Sequence, residues 1–164
     1  MRSAWLAGVA AMTFWTCAAT GQSPAGPTGR PSDAEVLSSS ELHYSESGGI
    51  AGRVHEATLT AAGGRVSVSY RPDRSGFGDA VLSATLPAPR YLELWREAER
   101  IDAWSLPSAR PPAGSADMIR QELRLRLGTR SHRAIWTEGS AAMREASAFG
   151  RRMLEAAREV AMNQ

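Results

Sequence analysis

The sequence predicts an α+β domain: an antiparallel sheet of about five strands, with two helices packed on one face. Three observations predict it. Strand-like and helix-like segments follow one another in the order β-β-β-α-β-β-α. Nothing in that order alternates strand and helix as a parallel sheet requires. Two long segments carry apolar residues at helical spacing, enough to cover one face of the sheet. The 164 residues bound the chain to one domain with a leader.

The elements divide the chain into three parts: a signal peptide over 1–21, a flexible leader over 22–40 and a folded domain over 41–164. The first part starts with Arg2, continues with an apolar run from Ala4 to Trp15, and ends in small residues at Ala18, Ala19 and Gly21. That run is too short for a permanent membrane span, and its pattern is that of a secretory signal cleaved after Ala19 or Gly21. Cys17 is the one cysteine. A lipid anchor on it is the competing reading. Phe14, Trp15 and Thr16 stand before it, where a lipid-modified cysteine usually has Leu and small residues. Release to the periplasm or outside the cell is therefore favoured over an envelope lipoprotein. The run "TGQSPAGPTGRPSDAEVLSSS" is small, polar and rich in Pro and Gly, with nothing to bury.

Within the domain, "ELHYSES" reads as a first strand. "GRVHEATLT" reads as a second, with Val54, Glu56 and Thr58 on one face and His55, Ala57 and Leu59 on the other. "AAGG" marks a tight turn into "RVSVSYR", where Val66, Val68 and Tyr70 alternate with polar residues. "PDRSGFGDAVLSATLPAP" reads as a loop. Tyr91, Leu94, Ala98 and Ile101 form one stripe of a helix that starts at Pro87–Pro89. "SLPSARPPAGSA" is a proline-stiffened loop. In "DMIRQELRLRLG", Leu123, Leu125 and Leu127 point inward and Arg124 and Arg126 outward. A turn at Gly128 leads to the strand "RSHRAIWTE". Ser140 precedes a last helix whose core face is Met143, Phe149, Met153 and Ala157, with Gly150 marking close packing.

All 19 basic residues are arginine, and the formal net charge is only +2. The arginines are scattered among acids, so no nucleic-acid stripe is expected. No catalytic constellation is recognisable either. His55-Glu56 begins like a zinc-protease helix, but position 59 is Leu, and adjacent residues of a strand point to opposite faces. His43, His55 and Glu46 would make a metal site only if the two histidines met across a hairpin. Asp117 and Glu122 are a candidate carboxylate pair, with Asp117 more simply a strand-starting residue. "SGGIAG" lacks the Lys-Ser/Thr of a phosphate loop and precedes a strand. A non-enzymatic chain with no cofactor and no metal is expected.

Three segments carry a resemblance. They are "SGGIAG" at Ser47, Gly48, Gly49, Ile50, Ala51 and Gly52; the end of the first helix at Trp104, Leu106 and Pro107; and a third group at Gly114, Asp117 and His132. Together, over roughly residues 42–160, the chain resembles the emfourin family, small bacterial protein inhibitors of protealysin-like metalloproteases. The chain has Ile where Phe is common in the family, Ser105 within the second motif, one extra residue before Asp117, and a longer connector over 72–86. The resemblance implies a thermolysin-like metalloprotease as partner, with the zinc belonging to the enzyme. It implies that the Gly48–Gly52 turn enters the protease cleft and that Ile50 fills the pocket for a bulky apolar residue. A secondary or rival contact is the loop from Trp104 to Ala116, with Trp104, Leu106 and Pro107 as its contact residues. The alternative is a non-enzymatic cell-envelope protein that binds another protein or a carbohydrate.

Overall fold

A computed structural model describes residues 29–49, 52–73, 80–108 and 118–163. The signal peptide expected over 1–21 lies outside them. Among the described residues, six strands form one antiparallel sheet in the order β4-β3-β2-β1-β5-β6. They are β1 Ser39–Gly48, β2 Arg53–Ala62, β3 Arg65–Arg71, β4 Leu82–Thr85, β5 Ile119–Leu127 and β6 Arg130–Thr137. Among the described residues, three α-helices accompany them: α1 Asp33–Ser38, α2 Ala88–Arg100 and α3 Arg144–Met162. Among the described residues, no helix is long and apolar enough to cross a membrane. The α+β class and the antiparallel sheet agree with the expectation.

The register sorts every strand residue onto one of two faces. Leu42 pairs with Leu59 on one side and Leu125 on the other, and Leu59 pairs in turn with Val68. These residues, with Tyr44, Ala57, Leu123 and Trp136, form the buried face. Helix α3 lies across it through Ala146, Phe149, Gly150, Met153, Leu154 and Ala157, and α2 adds Tyr91, Leu94, Trp95 and Ala98. A fully buried side chain of the size of Leu or Phe contributes about 1.5–3 kcal/mol. The strict alternation of these strands is what fixes their register, because a slip of one residue would turn the leucines to water.

Three elements depart from expectation. Strand β4 falls in the segment read as a loop. Its alternation is only four residues long, too short to stand out, and it forms because Ser67–Tyr70 of β3 offer a free edge. The ordered domain also begins before residue 41. Ser32 and Glu35 make a capping box, with Glu35 Oε2 accepting from Ser32 N at 2.8 Å. Val36 is then buried, and Gly64 N donates to Leu37 O at 3.0 Å. One apolar residue and a neighbouring turn are enough to order a segment whose composition reads as flexible. Helix α2 ends at Arg100, short of Trp104, which lies instead in a 3-10 turn at Ala103–Ser105.

Candidate functional site

The β1–β2 hairpin carries the first group of expected contact residues. Ser47 pairs with Val54 and Gly48 with Arg53, and Gly52 N donates to Gly49 O at 3.0 Å. Ile50 and Ala51 lie outside the described residues. The backbone at Gly48, Gly49 and Gly52 has φ of 106°, 73° and 59°, values that side chains disfavour. Gly48 meets a second constraint. A Cβ there would stand 2.7 Å from Met118 O, the residue that leads into β5. Gly48 thus lets two strands approach, a structural duty that operates whether or not the turn binds anything.

A polar network holds this end of the sheet. Glu46 Oε1 accepts from Tyr44 Oη at 2.8 Å and from Gln121 Nε2 at 3.0 Å. Gln121, fully buried, accepts through Oε1 from Trp136 Nε1 at 2.5 Å and Ser147 Oγ at 2.6 Å. Burial, with the Glu46 carboxylate beside it, pushes the Tyr44 phenol up, so it stays a donor. Arg151 of α3 bonds Glu138 at 2.9 Å and lies 3.8 Å from Glu46. Strands β1, β5 and β6 and helix α3 are tied together directly beneath the hairpin. Nothing in the linear sequence signals this network, because Gln121 and Glu46 are 75 residues apart.

Trp104, Leu106 and Pro107 lie elsewhere. Trp104 stands edge-on to Trp95 with ring centres 6.3 Å apart, and the Arg130 guanidinium sits 4.1 Å from its ring centre. Leu106 O accepts from His132 Nε2 at 3.1 Å, and Pro107 is exposed. Arg130 pairs with Leu127, and Leu127 with Ser40, whereas Gly48 pairs with Ile119. Eight residues of strand therefore separate the two groups, roughly 26 Å at ~3.3 Å per residue. Gly114 and Asp117 lie outside the described residues.

The histidine metal site does not form. His43 pairs with Thr58 and His55 with Glu46, which puts the two histidines on opposite faces of the sheet. His55 Nε2 is 3.0 Å from Tyr70 Oη, and His43 Nδ1 is 3.0 Å from Thr58 Oγ1. Among the described residues, no group of three His, Cys, Asp or Glu side chains is placed to hold a metal ion.

The open face of the sheet corrects the expectation of scattered arginines. Glu122 is only 6% exposed there. Its carboxylate accepts from Arg133 through two bonds, 2.9 Å to Nε and 2.7 Å to Nη2, from Arg120 at 3.1 Å, and from Arg124 Nε. Burial alone would raise the Glu122 carboxyl. The hydrogen bonds from Arg133 and Arg124, and their charges, outweigh it and hold the group at about 2. Period two places Arg120, Arg124 and Arg126 on one face of β5, and pairing with β6 brings Arg133 directly opposite Arg124. The β5 alternation and the hairpin to β6 were legible in the sequence; the register that sets Arg133 opposite Arg124 was not. His43, 8% exposed, flanks the group beside Arg124.

No protein-family model matches the chain, and no curated protein matches it.

Proposed function

We propose that the chain is a non-enzymatic protein inhibitor of a thermolysin-like or protealysin-like zinc metalloprotease, acting in the periplasm or outside the cell. The observation that carries this reading is the fixed hairpin end: Gly48 against Met118, above the Glu46–Gln121–Trp136 network. Ordering a free backbone costs about 1–2 kcal/mol per residue. A turn already held by two paired strands avoids much of that cost when it enters a cleft. Ile50, at the tip of the turn by sequence, is the apolar anchor in this reading, and such anchors carry a large share of binding energy. The zinc is the enzyme's, and the inhibitor needs no cofactor. Trp104, Leu106 and Pro107 stand toward the other end of the sheet, so in this reading they are a secondary contact outside the cleft.

The test is titration of a purified thermolysin-like metalloprotease with the chain from Gln22 onward. Stoichiometric loss of protease activity with the chain left uncut is expected. Ile50→Asp is expected to abolish inhibition while the circular dichroism spectrum stays unchanged. Full protease activity at excess chain would overturn the reading. It would leave the second one, a cell-envelope protein that binds another macromolecule, which the arginine-rich open face favours.

A further inference from the structure

The helix-free face of the sheet is mostly polar, with Val54 and Ile135 as its larger apolar side chains. Across β1, β2 and β3 it presents Ser45, Thr58, Thr60, Ser67 and Ser69, and no Phe, Tyr or Trp. Its charges are unbalanced. Arg65, Arg71, Arg120, Arg124, Arg126 and Arg133 share it with only Glu41, Glu56 and Glu122. The exposed side of α2 is different, with Glu93, Glu97 and Glu99 interleaved with Arg90, Arg96 and Arg100. The chain's near-neutral total thus conceals a cationic face.

The excess concentrates on β5 and β6. Arg124 and Arg133 are directly opposed across the two strands, an arrangement of like charges that weakens a sheet. One carboxylate, Glu122, serves both of them and Arg120 as well. Arg126 has Glu41 at 3.2 Å. The side chains of Arg124, Arg126 and Arg133 are 52%, 45% and 51% exposed, so their outer N–H groups face water. They surround a shallow depression with Ser131 and Glu41 at its margin. Guanidinium groups are planar forks that fit a carboxylate with two parallel bonds, as Arg133 fits Glu122.

We propose that this open face, centred on Arg124, Arg126 and Arg133, docks a carboxylate-rich surface of a protein partner. The face's own carboxylates show the ligand chemistry that its forks accept. The hydroxyls around them supply neutral hydrogen bonds to the backbone and side chains of a partner lying flat on the sheet. The face is independent of the hairpin tip, so it stands or falls apart from the protease reading.

The experiment uses labelled poly-glutamate as the probe and fluorescence anisotropy as the readout, at low and at physiological salt. Saturable binding that weakens with salt is expected. The pair Arg124→Gln/Arg126→Gln leaves Glu122 bonded to Arg133 and Arg120. It is expected to weaken binding about tenfold, equivalent to ~1.4 kcal/mol. The pair Arg90→Gln/Arg96→Gln removes the same charge from α2 and is expected to leave affinity within about twofold, since surface charge alone then changes. Equal weakening by both pairs would overturn the proposal, because overall charge would then explain the binding. Absence of binding at low salt would overturn it too, as would tighter binding of polyphosphate or of single-stranded DNA than of poly-glutamate. Thermal melts of each variant establish that it is folded. Should the sheet pair unfold, Arg126→Gln alone, whose partner Glu41 is partly exposed, carries the same comparison.

Discussion

Gly150 of α3 rests against the ring of Tyr44 in β1, and a Cβ on Gly150 would fall well inside contact distance of the ring carbons. Both residues are fully buried or nearly so. The missing side chain sets how closely α3 lies on the sheet, and Tyr44 Oη reaches Glu46 only because the ring has that space. Gly150→Ala is therefore expected to destabilise the domain by roughly 1–3 kcal/mol, despite the ~1 kcal/mol gained in helix propensity. Urea unfolding measures it. Repeating Gly150→Ala in a Tyr44→Leu background is expected to recover much of the loss, and equal costs in both backgrounds would mean that the ring is not the obstacle.

Gly48 and Gly52 separate two effects within one hairpin. Gly52→Ala is expected to cost about 1 kcal/mol, the strain of a positive φ in open space. Gly48→Ala adds the clash with Met118 O and is expected to cost clearly more, of the order of 2–3 kcal/mol. Melting temperatures of the two variants give the comparison. Similar shifts for both would show that the β5 backbone yields at little cost.

Acid should unfold the domain in two stages. Burial lowers the His43 pKa from 6.5, with the nearby Glu56 opposing it and Arg124 adding to it; Glu122 and Glu41 also face the ring and oppose the shift. The folded state therefore prefers neutral His43, and stability declines as pH falls below about 6.5. Glu122 has the depressed value of a paired carboxylate. Its contribution is complete above about 4.5 and is lost as pH falls toward about 2. With half-exposed arginines as partners, that contribution is on the order of 2 kcal/mol. Thermal melts across pH measure both stages. His43→Gln is expected to remove the upper one and leave the lower; an unchanged upper stage would assign it to another group.

Glu122→Gln tests the clamp at neutral pH. It leaves Arg124 and Arg133 opposed with no carboxylate between them. A loss of roughly 2–4 kcal/mol is expected, less at high salt, where dissolved ions screen the arginines from one another. A loss that is the same at low and high salt would mean that packing, and not charge, holds this part of the face.

Trp104→Ala removes a ring from Trp95 and Arg130 at the far end of the sheet from the hairpin. Its cost, about 2–3 kcal/mol for a half-buried aromatic, is expected to add to that of Gly52→Ala. Non-additive unfolding energies would indicate a coupling between the two ends that no contact among the described residues explains.

The sequence by itself determined the class of the fold, the alternation of β2, β3 and β5, and the two long helices. Val66-Val68-Tyr70 and Leu123-Leu125-Leu127 alternate, and Phe149, Met153 and Ala157 recur at helical spacing. Those patterns are local, so a linear reading finds them. It did not find α1 or β4, because Val36 is a single buried residue and Leu82–Thr85 needs the edge of β3 to pair with. Nor did it find the Glu46–Gln121–Trp136–Ser147 network or the four-residue clamp on Glu122, or show that His43 and His55 point apart. Each of these depends on which strand lies beside which, and at what register. That is decided by the packing of the whole chain: a polar side chain reveals its role only once the fold has brought up its partner and excluded water from around both.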